Sequence, residues 1–163
     1  MIDDISKVII RRIEVSDIEK LVSHRINYLA EMQGDKTTEY KEILQSELTT
    51  FFHKSIGNNS FWGLVAFYDG LEVAYAGMIV NQIPGDYNRS TYLEGALLNV
   101  YTIPTARRHG ISKLILKQLL VESKLIGITK VSLHSSAAAE ALYRSLGFEA
   151  PSYPYLEISM LKI

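Results

Sequence analysis

The residues with the clearest chemical potential lie where a strand gives way to a helix. The chain turns at Pro104, and an amphipathic helix begins near Gly110, which follows Arg107, Arg108 and His109. The unpaired N–H groups of a helix's first turn attract anions, and a glycine there lets a phosphate approach the backbone closely. The neighbouring cations can add charge-assisted contacts. This junction is predicted to bind a phosphate group; the alternative is a basic, solvated helix start.

A second pattern lies about 30 residues downstream, between Ala139 and Phe148. It predicts the last turns of a helix followed by Gly147, a residue suited to the left-handed cap of a helix. Phe148 can then pack back on Leu142 or Tyr143. On these grounds alone, Tyr143 is either a half-buried ring with its hydroxyl in water or a residue with a chemical role.

Together the two patterns resemble the GCN5-related N-acetyltransferases. That family's signature is Arg or Gln, two residues, Gly, one residue, then Gly or Ala; here the last small position holds Ser112. Its late helix ends in Leu-Tyr, a short spacer and Gly-Phe, as the second pattern does. The resemblance covers residues 93–163 well and the first half only through element order. It also extends to a bacterial subgroup whose substrates are mostly unassigned.

The resemblance implies acetyl-CoA as co-substrate and no metal. In that family the strand before the signature splays from its neighbour and pairs with the pantetheine arm, and the next loop and helix bind the pyrophosphate. The implied pantetheine contacts are Val100, Tyr101 and Thr102. Ser136 stands where the family often has a pantetheine-binding Asn. The implied pyrophosphate contacts are Arg107, Arg108, His109, Gly110, Ile111 and Ser112.

Acyl transfer to an amine requires a polarised carbonyl, a protonated leaving thiolate and a neutral amine. Val100 is the first candidate for a backbone N–H donor to the carbonyl. By resemblance Tyr143 donates a proton to the thiolate, which suits a phenol of pKa near 10 in a dry site. Glu94 is the candidate base, with a solvated carboxylate as the alternative, and His134 is a second candidate. The other candidates, His24 and His53, are expected to be solvated or packed on helices.

The predicted reaction is direct transfer of an acetyl group to a primary amine of a small molecule or peptide. Two alternatives remain: transfer of a larger acyl group, and a noncatalytic acyl-CoA-binding or regulatory domain. Since the cofactor patterns occupy the second half, the first two helices and a loop over residues 81–92 are expected to recognise the amine.

The elements that position these residues form a predicted α/β domain over residues 1–163, with a mixed, mostly antiparallel sheet flanked by helices and a GNAT-like fold. Ser16 and Asp17 are expected to cap the first helix. The predicted strands are Lys7 to Ile13, Phe61 to Tyr68, Glu72 to Val80, Leu93 to Thr102, Thr129 to His134 and Tyr155 to Leu161. The predicted helices are Asp17 to Met32, Thr37 or Thr38 to Gly57, one from about Ile111 to Gly127, and Ser136 to Leu146.

Composition narrows the function classes. The chain has 163 residues, a formal charge of -1 and no cysteine. The charge balance disfavours a nucleic-acid partner, and the apolar runs are too short to span a membrane, so a cytoplasmic location is expected. The absence of cysteine excludes disulfides and thiolate sites. The predicted last strand could pair with a partner's sheet edge, giving a homodimer, or close its own sheet.

Overall fold

A five-stranded sheet with helices on both faces organises the chain. The computed structural model describes residues 2–88 and 90–160. The strands are β1 (Ile9–Arg12), β2 (Phe61–Tyr68), β3 (Leu71–Pro84), β4 (Thr91–Thr102) and β5 (Ile128–Ser132). The helices are α1 (Ile18–Gln33), α2 (Thr38–Gly57), α3 (Ile111–Leu125) and α4 (Glu140–Arg144), with short 3-10 helices at Ile5–Lys7, Val15–Asp17 and Pro104–Ala106.

The strands lie in the order β1-β2-β3-β4-β5. The first four are antiparallel neighbours, and β5 runs parallel to β4. The turn between β2 and β3 is the predicted Asp69-Gly70 hairpin, with φ of 50° and 75°. Such a pair of positive φ angles is typical of tight two-residue hairpin turns. The predicted mixed, mostly antiparallel sheet is confirmed.

Alternating side chains of β2 and β3 build a core on each face of the sheet. On one face Leu64 and Ala76 pack with Ile115 and other apolar residues of α3. On the opposite face Val65 and Tyr75 pack with α1 and α2. The sheet therefore separates the core that packs against α1 and α2 from the core that packs against α3. Among the described residues, no helix is long and apolar enough to cross a membrane.

The predicted last strand is wrong over the residues described: 155–160 form no strand, and Leu161 lies outside the described chain. Pro151 and Pro154 precede this segment, and each removes a backbone donor and fixes φ. The apolar side chains that follow find no face to bury them. Tyr155 is 68% exposed and Leu156 88%.

Other boundaries also differ from prediction, and β1 and β5 end at Arg12 and Ser132, before the predicted Ile13 and His134. The loop predicted over residues 81–92 shrinks to 85–90, because the β3–β4 ladder extends through Asn81 opposite Glu94 to Pro84 opposite Thr91. Arg89, in that loop, lies outside the described residues. The last helix begins at Glu140 rather than Ser136, since residues 137–139 form a turn. It ends at Arg144 rather than Leu146, and the predicted left-handed glycine, Gly147 at φ 92°, follows in the turn that closes it.

The start of α1 also differs. Asp17 stands at its N-cap, but its side chain makes no cap hydrogen bond. Its carboxylate instead accepts two hydrogen bonds from the Arg11 guanidinium, at 2.7 and 2.8 Å. Asp17 also accepts from the Glu14 N–H at 2.7 Å. An ion pair outside the helix therefore uses the oxygens that were predicted to cap it.

Candidate functional site

The strand β4 loses one neighbour halfway along its length. Its parallel pairing with β5 runs from Leu93 to Ala96 and stops there. Its antiparallel pairing with β3 continues to Thr102. From Leu97 to Thr102, one edge of β4 therefore has no strand beside it among the described residues. An open edge of this kind presents backbone N–H and C=O groups to an extended ligand.

A β-bulge lies at the start of this open edge. Gly77 of β3 pairs with Asn99, while the next residue, Met78, pairs with Leu97. Leu98 is thus the extra residue of β4. A bulge bends its strand and re-aims the backbone groups around it. Val100, the candidate backbone N–H donor, lies two residues beyond the bulge.

The open edge leads directly into the N-terminus of α3. A 3-10 turn follows Ile103, and Gly110 is then the N-cap of α3, with φ 81° and no side-chain cap. Arg108 also has a positive φ, 69°. The first amides of α3 therefore keep their N–H groups available, and Gly110 brings no side chain in front of them. This arrangement suits an anion.

The two arginines of the signature have different surroundings. Arg107 donates from Nη2 to both carboxylate oxygens of Glu31, at 2.9 and 2.8 Å. Its Nε donates to the Thr102 carbonyl at 2.9 Å. Arg108 is exposed and has no ion-pair partner in residues 2–88 and 90–160. Of the two arginines predicted to contact the pyrophosphate, only Arg108 has a side chain free of such contacts.

Sequence reasoning did not single out Glu31, an acidic residue near the end of α1. The Tyr101 hydroxyl donates to Glu31 at 3.1 Å. Burial and this hydrogen bond raise the pKa of Tyr101. Glu31 therefore connects the end of α1 to both β4 and the loop before α3. The only signal in the sequence was its position near the end of the first helix.

The departure from the family signature at Ser112 has a structural role. The Ser112 and Thr102 hydroxyl groups lie 2.8 Å apart, so they form a hydrogen bond between α3 and the end of β4. His109 is held by a hydrogen bond from its Nδ1 to the Arg107 carbonyl at 2.7 Å. Since a carbonyl only accepts, Nδ1 carries the proton, and Nε2 is left for another partner.

On the α1 side of β4 lies a small cavity of about 10 Å³, enough for about one water molecule. Three of its polar side chains are His24 and Arg25 of α1 and Asn99 of β4. The His24 ring lies 4.8 Å from that of Tyr75 and 5.4 Å from that of Tyr101. The full lining is Leu21, His24, Arg25, Tyr28, Tyr75, Asn99, Val100 and Tyr101.

Tyr143 lies in α4, half-buried against the core cluster that Val100 also contacts. Its ring packs edge-on against Phe148, with 5.7 Å between centroids. This is the predicted contact. Burial raises the pKa of Tyr143, and the nearby Tyr28 adds to the effect. Tyr28, which also lines the cavity, lies within electrostatic reach of the Tyr143 hydroxyl.

Comparison with known proteins fits this geometry. A family model described as an acetyltransferase (GNAT) domain matches residues 57–150. The chain belongs to the GNAT acetyltransferase family. Acyl transfer is therefore its general chemistry. No curated protein matches it significantly.

Solved GNAT structures agree with the fold. One is a predicted acetyltransferase with acetyl-CoA from Clostridium acetobutylicum, 28% identical, with TM-score 0.82, covering 96% of this chain and 98% of that one. Another is a GCN5-related N-acetyltransferase from Ralstonia eutropha JMP134, 21% identical, with TM-score 0.75; the match covers 93% of this chain and 98% of that one. A third is glucosamine-6-phosphate N-acetyltransferase from Arabidopsis thaliana, 18% identical, with TM-score 0.65; the match covers 93% of this chain and 97% of that one.

The other predicted GNAT site residues lie apart from Val100. Glu94 is in the paired part of β4, where its carboxylate lies 2.8 Å from Lys130 Nζ. Val100 is six positions after Glu94, which is about 20 Å along an extended strand. His134 is exposed, with its ring 5.8 Å from that of Tyr155. Ser136 is exposed in the turn before α4. The structure does not bring Glu94 to the cavity.

Burial of His24 makes the stability of this GNAT domain sensitive to mild acid. Burial lowers the pKa of His24, with Lys20 adding to the effect and Glu72 opposing it. Below the ordinary value near 6.5, the unfolded chain binds a proton that the folded chain does not. The free energy of unfolding therefore falls as pH decreases from about 6.5 toward the lower folded-state pKa. In urea titrations, His24→Gln is expected to show a shallower fall than the wild type over this window; equal slopes would contradict the assignment.

Proposed function

We propose that the chain transfers an acetyl group from acetyl-CoA to a primary amine of a small molecule or peptide. One observation carries the proposal: the open edge of β4 runs straight into the uncapped N-terminus of α3. A ligand with an extended amide-containing arm and a phosphate can use both features together. The structural neighbour from Clostridium, described with acetyl-CoA, supports the choice of cofactor.

The residues present fit this co-substrate. The backbone from Val100 to Thr102 offers partners to a pantetheine arm. Gly110, Ile111 and Ser112 offer N–H groups to a pyrophosphate, and Arg108 offers a free guanidinium. Arg107 acts differently: it supports the site through Glu31, since its side chain already makes three hydrogen bonds.

The chemistry uses a thioester, whose carbonyl carbon is the electrophile. The neutral amine nitrogen attacks that carbon, a C–N bond forms, and the C–S bond breaks. The Val100 backbone N–H polarises the carbonyl oxygen. Tyr143 donates its proton to the departing sulfur, and its raised pKa keeps the phenol protonated at neutral pH. The excess proton on the amine leaves to a base.

The geometry favours His24 over Glu94 as that base. His24 lines the same cavity as Val100, and its lowered pKa keeps the imidazole neutral at pH 7. A base with a low pKa is a weak one, so its contribution should be smaller than that of a well-matched catalyst.

We expect His24→Gln to lower kcat/KM about 30-fold at pH 7.5, and Glu94→Gln to lower it less than about threefold. Steady-state kinetics of both purified variants, with circular dichroism as a check on folding, measure the difference. The reverse order of effects would return the role of base to Glu94.

Two measurements test the proposed function. A thermal-shift screen should show stabilisation by acetyl-CoA and by desulfo-CoA, and less by adenine nucleotides that lack the pantetheine arm. Thiol release from acetyl-CoA, measured with a thiol reagent, should then become saturable on adding a suitable amine. The chain has no cysteine, so it gives no thiol background.

The outcomes separate the alternatives. Stabilisation without turnover on a broad amine panel would favour a noncatalytic binding domain. Faster turnover of propionyl- or succinyl-CoA would favour transfer of a larger acyl group. Absence of any stabilisation would remove the basis of the proposal. Location in the cytoplasm and assembly as a homodimer stay predictions from the sequence.

A further inference from the structure

Arg25 is a half-buried arginine without a carboxylate. Its Nη1 donates to Asn99 Oδ1, and this is its sole hydrogen bond to the described part of the chain. No acidic side chain among those residues lies within ion-pair distance of it. A guanidinium has five N–H donors, so most of its hydrogen-bonding capacity is unused.

This environment is unusual within the molecule. Burial lowers the pKa of Arg25, which means that the surroundings disfavour its charge. A buried cation without a counter-charge is costly, so such groups are normally paired. Arg108 is exposed to solvent, and the remaining arginines of the described chain are paired or stacked: Arg11 with Asp17, Arg12 over the Trp62 ring, Arg107 with Glu31 and Arg144 with Glu140.

Two more polar atoms on the same cavity lack a partner. Asn99 is 6% exposed, and its Nδ2 has no hydrogen-bond acceptor. Its amide orientation is set, because Oδ1 accepts from Arg25. The buried Nδ1 of His24 also has no partner. Arg25 and Asn99 therefore both line the cavity with N–H donors that form no hydrogen bond to the described residues.

The cavity adjoins the reaction centre of the proposed mechanism. Val100, the proposed N–H donor to the thioester carbonyl, is part of its lining. Tyr28 lines it too and is close enough to influence the pKa of Tyr143. An acceptor amine that reaches the thioester would thus have its remaining groups beside Arg25.

We infer that Arg25 and Asn99 bind a carboxylate of the acceptor, one oxygen of which fits the water-sized cavity, so that the substrates are carboxylate-bearing amines of the amino-acid type. This inference rests on the proposed function. A carboxylate accepts from a guanidinium and an amide at once, and its single charge matches a single guanidinium. A phosphate group would need more positive charge, and the nearby Arg107 is already neutralised by Glu31.

The test compares amino acids with their own carboxamides as acceptors, by thiol release from saturating acetyl-CoA. The amine of a carboxamide lacks a neighbouring anion, so it is less basic and more of it is neutral. A preference for the acid therefore cannot arise from amine ionisation. We expect kcat/KM to be about tenfold or more higher for the acid in at least one such pair.

Arg25→Gln should abolish this preference, mainly by raising KM for the acid. Arg25→Lys keeps the positive charge but lacks the planar guanidinium with its several N–H donors, so it should retain part of the preference for the acid. Lys117→Gln removes a cation from the exposed side of α3 and is the matched control, with the preference unchanged. The acetyl-CoA thermal shift should be the same in all four proteins.

The results distinguish the carboxylate inference from the proposed acyl-transfer function. Equal or better turnover of carboxamides by the wild type would overturn the carboxylate inference while leaving acyl transfer intact, and this comparison needs no variant to fold. A preference for acids that survives in Arg25→Gln would also overturn it. Failure of every amine to release thiol would overturn the proposed function and the inference together.

Discussion

Replacing Tyr143 with Phe is expected to lower kcat about 10²- to 10³-fold while acetyl-CoA affinity stays within about twofold of the wild type. The substitution removes only the hydroxyl. The ring keeps its edge-on packing against Phe148, so α4 should stay in place. The loss falls on kcat because the proton is needed only when the C–S bond breaks.

The pH profile separates this role from a structural one. Burial raises the pKa of Tyr143 above its ordinary value near 10, so the wild-type phenol holds its proton throughout the neutral range. No alkaline fall of kcat should therefore arise from Tyr143 below about pH 10. Tyr40→Phe, on the exposed surface of α2, is the matched control and should leave kcat unchanged. Near-wild-type kcat in Tyr143→Phe would remove this residue from the mechanism.

The sequence predicts the junction of β4 and α3 well because local physics decides it. Gly110 favours positive φ, Pro104 suits the start of a turn, and the apolar spacing of α3 specifies one buried face. The hairpin at Asp69-Gly70 is predictable for the same reason. In each case the residues that determine the structure are neighbours in the chain.

Features that depend on distant partners were not predictable. Arg107 and Arg108 are adjacent and look equivalent, yet Arg107 lies against Glu31, 76 positions away. The sequence offers Glu94 as a candidate base, but β5 places Lys130 opposite it and the two side chains form an ion pair. The predicted last strand failed because alternation describes a strand's two faces but cannot supply a sheet to cover them.

The cavity beside α1 also could not be predicted from the sequence. His24, Arg25 and Asn99 come from a helix and a strand far apart in sequence, and each has an ordinary packed or solvated interpretation alone. They suggest a binding site only together, because the fold brings an unpaired guanidinium, an unpaired amide and an uncharged imidazole to one cavity. The proposed cofactor half of the site is therefore encoded locally, and the proposed acceptor half is created by tertiary packing.

Gly110→Ala is expected to weaken acetyl-CoA binding about 30- to 100-fold. An alanine at φ 81° is strained by about 1–2 kcal/mol, and its Cβ would lie 3.3 Å from Ile5 Cδ1. Relief of that strain moves the loop away from the conformation that presents the first amides of α3. Loss of a charge-assisted hydrogen bond to phosphate costs about 1.5–3 kcal/mol, an interval that contains the expected loss of affinity.

Gly127→Ala is the matched control for this prediction. Gly127 has nearly the same φ, 87°, but a Cβ there meets no atom within 4 Å, and the residue follows the opposite end of α3. Both variants should lose similar stability on thermal unfolding, since both carry the same backbone strain. Only Gly110→Ala should lose affinity in isothermal titration with acetyl-CoA. Equal affinities in the two variants would mean that the N-terminus of α3 does not hold the pyrophosphate.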